Sequence, residues 1–335
     1  MTAKPSAHWV YNETIRLFAA PAEPAFHSEG EMTAIWGRNW GVDNDVGRLR
    51  AVMVHRPGPE MDVVDPSQRI AATGSFGNVE HGWYFQSESV PDFDEMRAQH
   101  DALVAALRAE DVEVFEVQGV TDGRLKSCYT RDPFVMVKGG AIVSRMGARI
   151  RRGEVLAITR TLAELGIPIL RTLSGTALFE GGSFAWIDAK TVVVGCGIRV
   201  NREAARQIGE VLATQGVELL AIDLPGHDIH IDGQFLMVDR DLALIDQDRL
   251  PYSFLEVLKE KGIRTIEISP ADNRAIINSL AVAPGRLIMP EGGTNETLDK
   301  LAAAGVTWTT LAYEKMMLNG GGIHCSTMPL IRDPV

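Results

Sequence analysis

Ala213-Thr-Gln-Gly-Val-Glu-Leu-Leu, residues 213–220, joins the end of a helix to a short apolar strand through a glycine turn. Glycine at such a turn is typical of a left-handed helix C-cap. The same pattern returns at 108–115, 163–170, 259–266 and 302–308, and glycine occupies the turn in four of the five copies. The chain is therefore predicted to repeat one supersecondary unit.

The segments between these copies are predicted to form β-hairpins, because pairs of short apolar runs flank turn residues. A further strand is predicted at 48–55, before the first copy. About five units of this kind fit the chain, which is typical of an α/β protein whose modules form a ring or a stack. The predicted hairpins pair 134–137 with 141–144, 184–187 with 191–195, 235–238 with 242–246, and 280–283 with 287–290.

Chemically capable side chains recur in register with this repeat, one at the entrance to each unit. If the units close around an axis, equivalent positions converge near that axis. We therefore predict that these side chains line one small chamber. They are Asp132, Glu180, His230, Asn278 and Cys325, at spacings of 48, 50, 48 and 47 residues.

The composition excludes several classes of partner. The net charge of −11 argues against nucleic acid, since phosphate binding needs a basic surface. No apolar run is long enough to span a bilayer and the N-terminus lacks a signal-peptide pattern, so no membrane partner is predicted. Three cysteines are an odd number, which argues against a disulfide framework and favours a cytoplasmic location.

Two regions are predicted along the chain. Residues 1–45 carry scattered aromatic residues without clear periodicity. They are predicted to be an N-terminal extension that packs on the body or on a neighbouring subunit. Packing on a neighbouring subunit would make the protein a homo-oligomer. Residues 46–335 are predicted to form a single catalytic domain. No CxxC or HExxH spacing occurs, so neither a metal nor a cofactor is predicted.

Cys325 follows three glycines in Gly320-Gly-Gly-Ile-His-Cys. A thiol there is either a small buried apolar group or a nucleophile, and the other residues in register favour the nucleophile. Facing carboxylates suit a planar cation with several N–H donors. His230 can transfer protons. His230 and Asp232 are two residues apart, so in an extended strand they would address one ligand together.

In this order the motifs resemble those of the guanidino-group modifying superfamily, which includes arginine deiminases, dimethylargininase-like hydrolases and amidinotransferases. The resemblance covers residues 46–332 and implies a five-bladed α/β propeller, the pentein fold, with the site on a pseudo-fivefold axis. It rests on Val46-Gly-Arg-Leu-Arg, Val54-His-Arg-Pro-Gly, His100-Asp-Ala-Leu-Val, Thr130-Arg-Asp-Pro-Phe, Phe179-Glu-Gly-Gly, His230-Ile-Asp and Gly320-Gly-Gly-Ile-His-Cys.

The resemblance also implies residue roles. Cys325 would attack the guanidinium carbon and form a covalent amidino-thioether, with His230 as acid and then base and Glu180 orienting or charging that histidine. Asp132 and Asp232 would clamp the guanidinium nitrogens. Tyr129 would lie over the guanidinium and Arg199 would anchor the substrate carboxylate, although a surface arginine after a strand is an equal alternative for Arg199.

The chain departs from the arginine deiminase pattern at the far end of the substrate. The segment Asn319-Gly320-Gly321 stands where those enzymes carry an arginine that helps to hold the substrate carboxylate, and Lys126 corresponds to a carboxylate-binding asparagine. Ser183 stands where an aspartate is common. The resemblance therefore implies that the residues binding the guanidinium group are kept, whereas those binding the other end of the substrate are changed. This leaves free arginine in question as the substrate.

Three functions are compatible with these residues. The first is a hydrolase that acts on the guanidino or amidine carbon of a small molecule, such as arginine or a substituted arginine, and releases ammonia or an amine. The alternative is an amidinotransferase that passes the amidino group to an amine acceptor. A non-catalytic propeller used as a binding scaffold is a third reading, in which the thiol of Cys325 would be unreactive.

Overall fold

The computed structural model describes residues 4–19, 23–90, 92–121 and 123–335. The helices are α1 Ala7–Phe18, α2 Glu29–Trp36, α3 Phe93–Ala109, α4 Glu154–Glu164, α5 Arg202–Ala213, α6 Tyr252–Glu260, α7 Asn295–Ala303 and α8 Glu314–Met317. The strands are β1 Leu49–Val54, β2 Arg69–Ile70, β3 Ser75–Asn78, β4 Trp83–Phe85, β5 Glu113–Glu116, β6 Phe134–Val137, β7 Gly140–Val143, β8 Ile169–Thr172, β9 Phe184–Asp188, β10 Thr191–Cys196, β11 Glu218–Asp223, β12 Phe235–Asp239, β13 Leu242–Ile245, β14 Arg264–Glu267, β15 Leu280–Ala283, β16 Arg286–Pro290, β17 Thr307–Leu311 and β18 Met328–Arg332.

Four consecutive units share one topology. In each, two strands form an antiparallel hairpin, a helix crosses over, and a third strand pairs in parallel with the second strand. The crossover helix packs its apolar side on the sheet, as an amphipathic helix requires. All four predicted hairpins are confirmed. Unit 1 is β6–β7–β8 with α4, unit 2 is β9–β10–β11 with α5, unit 3 is β12–β13–β14 with α6, and unit 4 is β15–β16–β17 with α7.

Unit 5 has the same topology but takes its strands from distant parts of the chain. Strand β18 lies antiparallel to β1, and β1 lies parallel to β5, with α3 as the crossover helix. The predicted strand at 48–55 is therefore the middle strand of this unit, and its first strand follows Cys325. The local pattern could not reveal this pairing, because no hairpin connects β18 to β1.

Neighbouring units are in contact in chain order. Strand β9 packs against β12, β12 against β15, β15 against β1, and β18 against β6. Units 1 and 2 are joined by a hydrogen bond of 2.9 Å from the Gly181 amide to the Asp132 carbonyl. The α/β fold class is confirmed by this arrangement, in which unit 5 contacts unit 1.

Two further parts lie outside the five units. A small antiparallel sheet of β2, β3 and β4 is inserted between β1 and α3. The N-terminal extension contains helices α1 and α2, so the absence of periodicity noted in residues 1–45 did not reflect an absence of helices. Met32 of α2 and Trp40 are buried in the core, whereas α1 buries no residue. None of the helices in the described ranges is long and apolar enough to cross a membrane.

His100, on the buried side of α3, makes the fold sensitive to acid. Neither ring nitrogen has a hydrogen-bond partner, and burial, reinforced by the nearby His55, lowers the pKa of His100 to about 4. The unfolded chain binds this proton near pH 6.5, so stability present at neutral pH is lost as the pH falls from 6.5 to 4. Between pH 6.5 and 4, the free energy of unfolding measured with urea should fall by about 3 kcal/mol more for the wild type than for His100→Leu.

His81→Leu is the matched control, since His81 is exposed in the turn before β4. It should leave the pH dependence of the free energy of unfolding unchanged. Equal acid sensitivity in the wild type and in His100→Leu would contradict the assignment.

Candidate active site

Each of the five residues predicted in register lies two to five residues before the start of the first strand of its unit. Short 3-10 helices, Gly181–Ser183, Ile231–Gly233 and Arg274–Ile277, fill this position in units 2, 3 and 4 and turn the chain into the strand. The five residues are Asp132 before β6, Glu180 before β9, His230 before β12, Asn278 before β15 and Cys325 before β18. The repeat thus places one side chain from every unit at the same level.

The sulfur of Cys325 lies between an amide and a carboxylate. The Asn278 Nδ2 group donates to Sγ at 3.2 Å, and Asp232 Oδ2 lies 3.4 Å from Sγ. The backbone N–H of Cys325 donates to Asn278 Oδ1 at 3.0 Å, so Asn278 holds both ends of the nucleophile residue. Cys325 is 7% exposed and lines a cavity of about 430 Å³ together with His230 and Asp232.

Burial and the neighbouring carboxylates keep the Cys325 thiol protonated. Burial raises the pKa of Cys325 well above its ordinary value, and the carboxylates of Asp232 and Asp132 raise it further. The Gly322 amide and the Asn278 side chain act in the opposite direction. A cation bound between the carboxylates would cancel their effect and favour the thiolate.

Asn278 is therefore expected to support the reactivity of the thiol. Replacing it with alanine removes a donor to the developing thiolate, and a hydrogen bond to a charged group contributes about 1.5–3 kcal/mol. We expect Asn278→Ala to lower kcat/KM about 10- to 100-fold and to slow alkylation of Cys325 to a similar extent. The exposed Asn295→Ala should behave as the wild type, and an unchanged rate in Asn278→Ala would remove Asn278 from this role.

His230 lies between two carboxylates on the opposite side of the site. Its Nε2 atom is 2.9 Å from Glu180 Oε2 and its Nδ1 atom is 3.6 Å from Asp132 Oδ1. Burial alone would lower the pKa of His230, but Asp132, Glu180 and Asp232 outweigh it and raise the pKa to about 9. The imidazole is therefore a cation at neutral pH, ready to donate a proton.

Two arginines neutralise the carboxylates behind the histidine. Arg151 donates to Asp132 Oδ2 at 2.6 Å and binds Glu154, and Arg199 donates to Glu180 at 2.8 and 3.0 Å. Burial would raise the pKa of Glu180, but His230, Arg151 and Arg199 together lower it. Ligand atoms of Asp132, Glu180 and His230 lie within 4.8 Å of one another, yet these guanidinium groups disfavour a metal cation between them.

The geometric argument for His230 and Asp232 as neighbours on an extended strand is wrong. Asp232 lies in the 3-10 helix Ile231–Gly233, and its carboxylate turns toward Cys325 and His324 instead of following the side chain of His230. His324 Nδ1 lies 2.9 Å from Asp232 Oδ2. The two residues still line one cavity, because the short helical turn lets them approach from different sides.

Tyr129 and Arg199 lie around the same site. The Tyr129 hydroxyl donates to the Met316 carbonyl at 2.7 Å, and its ring packs against Gly321, where a Cβ atom would approach the ring to 2.7 Å. Glycine at 321 is therefore required for the Tyr129 ring to lie beside residues 318–324, the loop before Cys325 that we call the nucleophile loop. The guanidinium of Arg199 contacts Glu180 and so holds the Glu180 carboxylate in place.

Lys126 and Gly320 lie close together at the edge of the site. A Cβ atom on Gly320 would lie 2.5 Å from Gln86 Oε1 and 3.6 Å from Lys126 Nζ. The ammonium group of Lys126 donates to the Asn319 carbonyl and lies 5.2 Å from the centre of the Tyr84 ring. It thus occupies space beside the nucleophile loop toward which a side chain at position 320 would project.

Three of the seven predicted site residues, Cys325, His230 and Asp232, line one cavity. Asp132 and Glu180 contact His230, Arg199 contacts Glu180, and Tyr129 packs against Gly321. The sequence interpretation did not identify two neighbours of these residues, Arg151 and His324. It placed Asn278 in register with the repeat but did not assign its contact with the Cys325 sulfur. No sequence signal identified Arg151, because its role depends on how the loop after β7 folds back.

Comparison with known proteins defines the class to which this fold and cluster belong. The model of the family described as N,N dimethylarginine dimethylhydrolase, eukaryotic, matches residues 86–332. This match covers well over half of the chain, so the protein belongs to this family of guanidino-group modifying enzymes. The predicted superfamily is thereby confirmed.

Individual relatives agree with this assignment. N(G),N(G)-dimethylarginine dimethylaminohydrolase of Pseudomonas aeruginosa is 26% identical over 243 residues, which cover 71% of this chain and 89% of that protein. A structure of the Pseudomonas aeruginosa enzyme complexed with citrulline matches with a TM-score of 0.66 and 20% identity, covering 85% of this chain and 100% of that one. The amidinotransferase SxtG of Microseira wollei matches with a TM-score of 0.69 and 17% identity, covering 88% and 98%.

The two structural matches are below 25% identity and so support the fold alone. Together with the family match, the sequence relatives confirm the predicted enzyme class, a hydrolase acting on C–N bonds in linear amidines.

Proposed function

We propose that this protein hydrolyses the guanidino group of arginine or a substituted arginine through a covalent intermediate on Cys325. The observation that carries the proposal is the position of the Cys325 sulfur, 3.4 Å from Asp232 Oδ2 in the cavity that His230 also lines. This is an arrangement in which a thiolate can face the carbon of a planar cation. Acyl or phosphoryl transfer would need donors for a developing oxyanion instead of carboxylates.

Substrate binding comes first in this mechanism. The guanidinium nitrogens would donate to Asp232 and to Asp132 Oδ1, which also accepts from the Gly182 amide at 3.1 Å, while Asp132 Oδ2 accepts from Arg151. The cation would offset the two carboxylates that raise the pKa of the Cys325 thiol, so the thiol would release its proton to solvent after binding and become the thiolate. Tyr129 limits the space beside the nucleophile loop.

The chemical steps follow from the charges around the sulfur. The thiolate forms a bond to the central carbon while the electron pair of the C=N bond moves to nitrogen. Protonated His230 donates its proton to the departing nitrogen, whose C–N bond breaks to release ammonia or an amine. Neutral His230 then takes a proton from water, which attacks the carbon, and the C–S bond breaks to regenerate the thiolate and leave a urea-type product.

Three finer points belong to the same proposal. The five units would form a five-bladed α/β propeller with pseudo-fivefold symmetry, which is supported by their common topology and chain-order contacts. Residues 46–335 would be the single catalytic domain, and the free cysteines are compatible with a cytoplasmic location. Arg199 would meet the substrate carboxylate with the nitrogens that do not bind Glu180.

A screen of guanidino compounds tests the proposed function. Arginine, its N-methylated forms and carboxylate-free analogues are incubated with the enzyme, and urea-type product and released amine are measured. We expect turnover of at least one compound, its loss in Cys325→Ala, and its retention in Cys196→Ala, which removes a thiol from the end of β10. Added ornithine or glycine distinguishes the alternative, since an amidinotransferase would yield a new guanidino product from either amine.

A further inference from the structure

Exposed apolar side chains are concentrated near the N-terminus, away from the active site. The described residues contain 16 exposed large hydrophobic side chains, and nine of them lie between residues 9 and 36. The other seven are scattered over the remaining chain. Single exposed apolar residues are normal on a protein surface, whereas a concentration of this kind marks an interaction surface.

Helix α1 presents most of this surface. At 100° per residue, five large apolar side chains of α1 fall on one side of the helix, and none of them is buried. Leu17 is 71% exposed and Phe18 is 84% exposed. The helix is nevertheless well formed at its start, where the Ser6 hydroxyl accepts from the Trp9 amide at 3.1 Å. We call this side the α1 face, formed by Val10, Tyr11, Ile15, Leu17 and Phe18.

A second apolar surface lies on the next helix and is fixed to the body. Met32 of α2 is fully buried, which anchors this helix in the core. Phe26, Ile35 and Trp36 remain exposed, and the rings of Phe26 and Trp36 meet edge to face with centroids 6.3 Å apart. We call these three residues the α2 patch.

The charges of the two surfaces are complementary. The segment 4–19 carries Lys4 and Arg16 against the single acid Glu13, which pairs with Arg16 at 2.6 Å, so the segment has a net charge of +1. The segment 23–36 carries three acids, Glu23, Glu29 and Glu31, and no lysine or arginine. An anionic membrane is a poor match for either segment, because the whole chain has a net charge of −11 and α1 lacks the lysine-rich polar side of a membrane-surface helix.

We propose that the α1 face docks on the α2 patch of a second copy of this chain, and that the exchange is reciprocal. Both surfaces are present on every copy, so a twofold arrangement satisfies both at once and closes the assembly. Aromatic side chains bury on the order of 150–250 Å² each. Covering the eight side chains of the two surfaces on each copy therefore approaches the roughly 800 Å² per partner of a specific interface.

Sedimentation equilibrium of the full chain tests this arrangement. We expect the wild type to be a dimer at micromolar concentration. Leu17→Glu, on the α1 face, and Ile35→Glu, on the α2 patch, should each weaken dimerisation at least about 30-fold, as for an interface hot spot. Asn12→Glu, on the polar side of α1, is the matched control and should remain dimeric. Circular dichroism verifies that each variant is folded.

Mixing the two variants separates reciprocal exchange from other modes of association. The Leu17→Glu chain keeps an intact α2 patch and the Ile35→Glu chain keeps an intact α1 face, so an equimolar mixture should form a one-armed dimer more tightly than either variant alone. A monomeric wild type, dimers that persist in both variants, or recruitment to phosphatidylcholine–phosphatidylserine vesicles in place of self-association would each overturn the proposal.

Discussion

Cys325 should react with 2-chloroacetamidine at pH 7 at least about 100-fold faster than with the neutral 2-chloroacetamide. The reason lies in the surroundings of Cys325, where burial and then the carboxylates of Asp232 and Asp132 raise the pKa of the thiol. An amidinium binds these carboxylates and brings its electrophilic carbon to the sulfur, so both the thiolate fraction and the local concentration of reagent increase. Mass spectrometry of the labelled protein gives the site and the rate.

Asp232→Asn provides the internal test of this explanation. It removes a carboxylate that raises the pKa of the thiol, so labelling by the neutral reagent should accelerate while labelling by the amidinium slows. The preference for the cationic reagent should therefore fall by at least about tenfold. Equal rates for both reagents in the wild type would show that the carboxylates do not bind a planar cation beside Cys325.

The rate of hydrolysis should fall above an apparent pKa near 9, because the imidazolium of His230 is the proposed acid. The carboxylates raise the pKa of His230 to about 9, so the group is protonated below that pH and the step that needs its proton is lost as the pH rises through it. In Glu180→Gln one of these carboxylates becomes neutral. We expect kcat to fall about 100- to 1000-fold and the alkaline limb of the pH–rate profile to move toward pH 7.

The shift of the alkaline limb distinguishes a catalytic effect from simple damage to the fold. A misfolded fraction lowers kcat at every pH and leaves the apparent pKa in place. His81→Gln, on the surface, should leave both quantities unchanged. If Glu180→Gln loses activity with its limb still near pH 9, the titrating group is not His230, and the contact of 2.9 Å between these residues does not set the rate.

Local patterns in the sequence were sufficient for most of the fold. Turn residues and apolar pairs located four hairpins, and the recurrent helix end at Gly166, Gly216, Gly262 and Gly305 located the third strands, because each signal depends on a few adjacent residues. The pairing of β18 with β1 was not predictable in this way. It joins residues 49–54 to 328–332, and nothing local at either end specifies the partner.

The candidate site shows the same division. The spacing of Asp132, Glu180, His230 and Cys325 follows the repeat, so these residues can be grouped from the sequence alone. The predicted direction of the Asp232 side chain was wrong, because the prediction assumed an extended strand and the backbone forms a 3-10 helix at Ile231–Gly233. The ion pair of Arg151 with Asp132 depends on a loop conformation that no short motif encodes.

The position of β18 has a consequence for biosynthesis. This strand is only a few residues from Cys325, and both emerge from the ribosome after the rest of the five units. Until then β1 has one unpaired edge, so a nascent or prematurely terminated chain exposes a strand that can associate with other polypeptides. The enzyme therefore acquires its reactive sulfur and pairs the free edge of β1 at the same stage of synthesis, and products truncated before Cys325 should be insoluble as well as inactive.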